Sequence, residues 1–430
     1  MKPSLSGETD LVIVLPHLGP GGAQKVAILA AQHFHSQGVR VAIVTLLPGK
    51  TLAHHLPAEI PWFDLGPAVA ATWSDRALQA RFSRFLRAWT HRLMSWCLLA
   101  GGWPWIEQIA PPGHVRLVQW LVAGVSGAQA NLLANLLASA RPRCVLSLLT
   151  RTNLLCCQAV WDLPCRLVVS ERNDPRLQTQ PFPWPRLQHW LWRRADVITA
   201  NTAGVLEGLR RLHPDRASAM HLLPNPLPLQ SIKPGSECRD GTPTSQRLLA
   251  VCRLVPQKGI DLLIRAYSQL TADVRQQWPL QIAGDGPERR ALEDLSVECG
   301  TAAEITFLGF VRDPWELYRP GDVFILPSRF EGMPNALLEA MSRSMAVVVS
   351  DASPGPLEVV EHELTGLVVP RENVKALCVA ISRLIGEHGL REELGTRAAL
   401  KVAALDWSQL DSLWRRTLNL APVPDTIEQA

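Results

Sequence analysis

The chain has 430 residues, 47% apolar and 19% charged. That excludes a disordered or fibrous protein and predicts large buried cores in two domains of substantial size, or three smaller ones. A net charge of +4 is too mild to point to nucleic acid. Its spread says more: from Arg76 to Trp161 there are nine arginines and one acid, Glu107, whereas the second half carries more acids than bases. The basic half is therefore expected to meet an anionic surface.

Leu11–Leu15 reads as a buried strand. The turn Gly19-Pro20-Gly21-Gly22 follows, then a helix from Ala23 to His35 and a second strand over Val39–Leu47. Strand, glycine turn, helix, strand is a βαβ unit, which calls for a parallel sheet covered by helices. Arg143–Leu149, Arg166–Ser170 and Ala195–Ala200 read as further strands. Between Leu222 and Thr244 periodicity gives way to Pro, Gly, Ser and Thr, as in a linker. The alternation then restarts with strands at Leu248–Cys252, Leu280–Ala283, Ile305–Leu308, Val323–Pro327 and Ala346–Ser350. Helices are expected at Ile260–Leu270, Glu288–Cys299, Asn335–Arg343 and Asn373–Ile385, and a terminal one over Asp406–Leu420 carries Trp407 and Trp414. The expected division is a first α/β domain over 1–225, a second over 226–405, and a helix and tail over 406–430.

Nine cysteines without a CxxC pair define neither a disulfide framework nor a zinc site. Cys144 and Cys252 sit in apolar runs, as small buried hydrophobes of a reducing compartment do. Leu11–Leu15 follows Glu8 and Asp10, unlike a secretory signal, and no run of eighteen apolar residues exists. The expectation is a cytoplasmic protein.

The turn Gly19–Gly22 lies where parallel sheets bind phosphates, at the end of a strand and the start of a helix. It is not a dinucleotide fingerprint: Gln24 replaces the third small residue, and no acid closes the second strand. Pro48-Gly49-Lys50-Thr51 lacks the earlier glycine of a phosphate loop. The second half is more specific. Arg253 closes a strand and Lys258-Gly259 opens a helix five residues later, two cations suited to a diphosphate. Glu331-Gly332-Met333-Pro334-Asn335 precedes a helix containing Glu339. Two carboxylates so placed can accept hydrogen bonds from sugar and ribose hydroxyls, with a helix N-terminus facing phosphate.

Taken together, Gly21-Gly22-Ala23-Gln24, Arg253-Leu254-x3-Lys258-Gly259, Ile282–Glu288, Leu308-Gly309-Phe310-Val311 and Pro327–Gly332 with Glu339-Ala340-Met341 resemble family 4 of the retaining glycosyltransferases. The resemblance implies a GT-B fold, with two Rossmann-like domains facing across a cleft. It implies that Arg253 and Lys258 bind the donor diphosphate, Glu331 the donor sugar and Glu339 the ribose. Arg253, Lys258 and Glu331 would be catalytic. Gly21 and Gly22 would complete the diphosphate site, and Val311, Met333, Asn335, Ala336 and Leu337 would line the nucleotide-sugar. The sequence departs from the family at Cys252, where Gly is usual. It departs again at Ser344 and Ala346, where Gly and Pro are common, so Ser344 has to take a left-handed conformation. The family's acceptor-side His is replaced by Ser170-Glu171-Arg172-Asn173-Asp174-Pro175. That run is similar to a subgroup acting on lipid-linked glycans, and carries an acceptor role to Arg172 and Asn173.

From Leu78 to Trp96 one helical face holds Leu78, Phe82, Phe85, Leu86, Trp89, Leu93 and Trp96. Arg81, Arg84, Arg87, His91 and Arg92 occupy the flanks and back, and Trp103 and Trp105 follow. An aromatic face with an all-basic opposite side, here the segment 76–106, reads as a helix lying on an anionic membrane. The same composition recurs over Pro181–Arg194, with Trp184, Trp190 and Trp192. A helix packed on its own sheet is the competing explanation.

The expected function is transfer of N-acetylgalactosamine, galactose or glucose from a UDP-sugar to a polyprenyl-diphosphate-linked or other membrane-bound glycan, at the cytoplasmic face of the inner membrane. No metal or further cofactor is called for, because no Asp-x-Asp pair occurs and two fixed cations can neutralise the leaving diphosphate. The alternatives are a GDP-mannose or UDP-glucose enzyme with a soluble acceptor, an inactive nucleotide-binding scaffold, and a nicotinamide oxidoreductase, which the broken fingerprint disfavours.

Overall fold

The structure, a computed structural model, describes residues 9–47, 52–68, 90–98, 111–126, 128–173, 175, 181–228 and 246–421. Among these residues, thirteen strands form two sheets. In the first, β1 (Leu11–Leu15), β2 (Val41–Thr45), β3 (Trp62–Asp64), β4 (Cys144–Leu148), β5 (Arg166–Glu171), β6 (Val197–Ala200) and β7 (Met220–Leu222) lie in the order 3-2-1-4-5-6-7. In the second, β8 (Leu248–Val251), β9 (Leu280–Ala283), β10 (Ile305–Gly309), β11 (Val323–Leu326), β12 (Ala346–Ser350) and β13 (Leu367–Val369) lie in the order 10-9-8-11-12-13. Every strand pairing is parallel. Each sheet reverses its winding beside its first strand, and the crevice beyond the carboxyl ends at that point is where such sheets take ligands.

Strand alternation builds a core on both faces of each sheet. In β1, Val12 and Val14 point to one side, while Leu11, Ile13 and Leu15 point to the other. On the Val12 side pack the helices Pro111–Ser126, Ala128–Ala140 and Thr150–Ala159; on the Leu11 side packs Gly22–Ser36. The terminal helix Trp407–Leu418 also lies there, although the second sheet precedes it in the chain. Its Trp407, Leu410, Trp414 and Leu418 fill the core beside Phe34, and His33 stacks on Trp407 with ring centres 3.8 Å apart. The two segments joining the lobes touch where they cross: Leu227 N–H donates to Leu405 C=O at 3.0 Å.

Ser344 does adopt a left-handed conformation, with φ 57°. It closes the Asn335–Ser342 helix, with Ser344 N–H bonded to Met341 C=O and Met345 N–H to Ala340 C=O.

The second aromatic-basic segment is no membrane face. Trp184, Trp190 and Trp192 are at most 8% exposed and belong to the first lobe's core. Trp190 stacks on Trp161, and Arg194 is spent on the carbonyls of Val160, Leu163 and Cys165. Arg194, read from the sequence as part of a polar face, thus ties down a loop. Of the segment 76–106, only residues 90–98 are described. Leu78, Arg81, Phe82, Arg84, Phe85, Leu86, Arg87, Trp89, Trp103 and Trp105 lie outside the described residues, as do Pro48–Thr51, Asp174 and most of the linker, 229–245. Residues 90–98 are helical. Ser95 is buried and His91 packs on Trp120, while Arg92, Leu93 and Met94 face outward and Trp96 lies against Phe182, 5.4 Å between ring centres. Among the described residues no single helix is long and apolar enough to cross a membrane.

Candidate active site

Lys258 and Glu331 meet where β8 and β11 leave the second sheet. Lys258 ends a short turn after β8, and its Nζ lies 2.6 Å from Glu331 Oε1. Ser328 Oγ donates to the same oxygen at 2.7 Å, and Ser353 Oγ accepts from the Glu331 N–H. Burial works against the Lys258 ammonium, but Glu331 outweighs it and holds the group above its ordinary value. Gly259 is required here: its φ is +64°, and a Cβ would stand 2.2 Å from Pro327 C=O. Arg329 fixes the loop holding Glu331 by pairing with both oxygens of Asp261 and bonding Pro256 C=O.

Glu339 is 2% exposed, one turn inside its helix. Tyr318 Oη donates to its Oε2 at 3.0 Å, and burial, then this carboxylate, hold the phenol well above its usual range. The other oxygen faces Lys25 of the first lobe, with Nζ 2.6 Å from Oε1, an ion-pair contact not angled as a hydrogen bond. Cys252, one residue past β8, is within electrostatic reach of Lys258 and Glu331, and of Tyr318, the partner of Glu339. Burial pushes its thiol up to about 12, so it is a neutral neighbour of the ion pair. Arg253 comes next in the chain, exposed.

Met333, Asn335 and Ala336 are half-buried at the mouth of the Asn335–Ser342 helix, and Val311 is half-buried after β10. Leu337 differs from expectation. Its side chain is wholly buried in the core and its N–H is bonded to Pro334 C=O, so it has nothing to offer a ligand.

From the first lobe, Gly22 C=O accepts from Asn335 Nδ2 at 3.0 Å, while Asn225 Nδ2 bonds Asn335 Oδ1 at 2.7 Å and Met333 C=O at 3.1 Å. Asn225 Oδ1 accepts from Arg172 Nη1 at 2.5 Å. The Arg172 carbonyl packs so closely on Gly332 that a Cβ there would stand 2.1 Å away. Asn173 is half-buried beside it. Arg172 is 5% exposed, and burial alone lowers its guanidinium to about 10, so it stays protonated at neutral pH. The preceding carboxyl, Glu171, is raised to about 7 by burial, against hydrogen bonds from Thr150 and Asn153. His54 sits within reach of the Gly21 and Arg312 backbones, and burial, then Lys25, lowers it to about 4.

Lys25, Asn225 and His54 were not singled out from the sequence. Lys25 follows the glycine turn by one helical step and Asn225 stands between two prolines, both readable signals; His54 has none. Among the described residues no three His, Cys, Asp or Glu side chains gather as a metal centre requires.

Two parallel sheets with helices on both faces, meeting at their carboxyl edges, define the GT-B fold. Residues 241–401 match the family described as glycosyl transferases group 1. Over 95% or more of this chain and 99% or more of theirs, it is similar to the Anabaena protein HepE in complex with UDP and glucose (TM-score 0.70, 17% identity) and to the sucrose-phosphate synthase of Thermosynechococcus elongatus (TM-score 0.71, 17% identity). Among curated relatives it is 27% identical, over 60% of its length and 71% of theirs, to the N-acetylgalactosamine-N,N'-diacetylbacillosaminyl-diphospho-undecaprenol 4-alpha-N-acetylgalactosaminyltransferase of Campylobacter jejuni. It is 32% identical over 50% of its length to an exopolysaccharide phosphotransferase of Streptomyces coelicolor. That match and one to an uncharacterized glycosyltransferase of Methanocaldococcus jannaschii span only 23% and 44% of those relatives.

Proposed function

We propose that this chain is a retaining glycosyltransferase that moves a sugar from a UDP-sugar to a lipid-linked glycan acceptor. The observation that carries the reading is the Lys258–Glu331 pair after β8, with Glu339 buried one turn inside the helix that follows the Glu331 loop. As the glycosidic bond to the donor breaks, negative charge grows on the departing diphosphate. Arg253 and Lys258, with N–H groups at the Gly22 turn and the Asn335–Ser342 helix, stabilise that charge. Glu331 holds the sugar hydroxyls. Glu339 accepts from the ribose, which takes the place of Lys25. A leaving-group oxygen takes the acceptor proton on the same face, which retains the anomeric configuration, and no metal is called on. Arg172 and Asn173 face the acceptor side.

The relative acting on a diphospho-undecaprenol-linked glycan favours a membrane-bound acceptor. So do the outward apolar side chains Leu93, Met94 and Trp120, each 37–54% exposed, with Arg92 also outward. In this reading Arg81, Arg84, Arg87, Arg92, Trp89 and Trp96 rest on an anionic membrane surface, on the cytoplasmic side. Flotation with anionic liposomes at low salt checks this: protein left at the bottom favours a soluble acceptor.

Losing one charge-stabilising donor typically costs about 3–4 kcal/mol, or roughly 100- to 1,000-fold in rate. Arg253→Ala is therefore expected to lower transfer at least 100-fold with the fold intact by circular dichroism. Activity near wild type would refute the assignment. A donor screen over UDP- and GDP-sugars identifies the nucleotide, and turnover confined to GDP-mannose overturns the UDP reading.

A further inference from the structure

Arg172 is the most anomalous charge in the described molecule. Its residue is 5% exposed, Nη1 is tied to Asn225, and Nε and Nη2 are fully buried with no partner. These two nitrogens share one edge of the planar group, the edge that meets two oxygens of one anion side by side. The adjacent acid does not serve, because the Glu171 carboxyl is taken by Thr150 and Asn153. Leaving a buried cation without a counter-ion is costly, and chains keep such a group where a ligand supplies the charge.

The position narrows the ligand. Arg172 follows β5 at the carboxyl edge of the first sheet, with its carbonyl on Gly332, one residue beyond Glu331. Asn225 ties the guanidinium to Met333 and Asn335 of the opposite lobe. An anion on the open edge would therefore lie at the junction of the lobes, next to the loop that holds Glu331. Asn201, with a buried unpartnered Oδ1 and its Nδ2 also beside Gly332, is a second polar group left open there.

We infer that Arg172 is a bidentate site for a phosphate group, engaged once the contacts between the lobes part to admit substrate. This rests on the transferase reading above, which is what makes the anion a phosphate and not a carboxylate. Two sources share that chemistry: the terminal phosphate of the departing nucleoside diphosphate, and the diphosphate of a polyprenyl-linked acceptor.

The test is titration calorimetry of the full chain with UDP, farnesyl diphosphate and uridine, for wild type, Arg172→Gln and Arg172→Lys. Arg172→Gln is expected to weaken one diphosphate at least tenfold and leave uridine unchanged. Loss confined to UDP assigns the donor side, and loss confined to farnesyl diphosphate the acceptor side. Arg172→Lys keeps the charge without the fork, and is expected to recover less than a third of that loss. Removal of an uncompensated buried charge should also leave the ligand-free melting temperature of Arg172→Gln at or above wild type. Binding of both diphosphates within twofold of wild type overturns the proposal, as does a lowered melting temperature with binding unchanged. If Arg172→Gln does not fold, Arg172→Lys decides, with at least threefold weakening of one diphosphate expected. A wild type that binds neither diphosphate overturns the transferase reading as well, whereas wild-type binding unaltered in the variants sinks the Arg172 site alone.

Discussion

Glu171 and Arg172 are neighbours in sequence and both buried, yet each is held by other partners, Glu171 by Thr150 and Asn153 and Arg172 by Asn225. For Glu171 the consequence is a pH dependence of opposite sign to that of most carboxylates. Burial raises it to about 7, so between about pH 4.5 and 7 the folded chain keeps a proton that the unfolded chain has released. Stability therefore falls as pH rises through that window, by up to ~3 kcal/mol for one fully shifted group. Glu171→Gln should match wild type near pH 5 and exceed it near pH 8. Urea midpoints across that range measure the gap, and a constant difference would show that Glu171 is ionised throughout.

At the scale of elements, Ser344 ends the Asn335–Ser342 helix where glycine is the residue without a steric penalty. A left-handed non-glycine residue costs roughly 1–2 kcal/mol, so Ser344→Gly should stabilise the second lobe by about 1 kcal/mol in thermal or urea unfolding. A variant no more stable than wild type would mean that the serine side chain recovers that energy locally. This strain was legible from the sequence because the helix and its stop are local. So were the five longest strand-and-turn signals of the second half, and the placing of Lys258 and Glu331 at strand exits. Illegible were β3, β7 and β13, three residues each and too short for a period to show. The leucine-rich helices over Pro111–Ala140 are apolar on most sides and show no clear face. Trp184, Trp190 and Trp192 misled because arginine on a helix flank looks the same whether it meets lipid or backbone carbonyls. Lys25, Asn225 and His54 meet the second lobe only through tertiary closure, which no local pattern encodes.

At the scale of the whole molecule, the contacts that hold the lobes together include Lys25 with Glu339, Gly22 and Asn225 with Asn335, and the Glu358 carboxylate capping the N–H groups of Ala203 and Gly204 at 3.0 and 2.9 Å. Each contributes roughly 1–2 kcal/mol, weak enough for substrates to part them. A compact chain of this length has a radius of gyration of roughly 22 Å. The double variant Lys25→Ala with Glu358→Ala is expected to exceed the wild type by ~1 Å or more in small-angle scattering. Superimposable curves would show that these contacts do not govern closure.

Because the terminal helix returns to the first lobe, the second is attached by an outgoing and a returning segment, joined at Leu227 and Leu405. A single tether would let the lobes tumble freely. Two tethers pinned side by side leave chiefly one swing, like a door on a paired hinge. Each opening would then bring the same faces back into register, so Arg172 and Glu331 would return to the same spacing at every turnover.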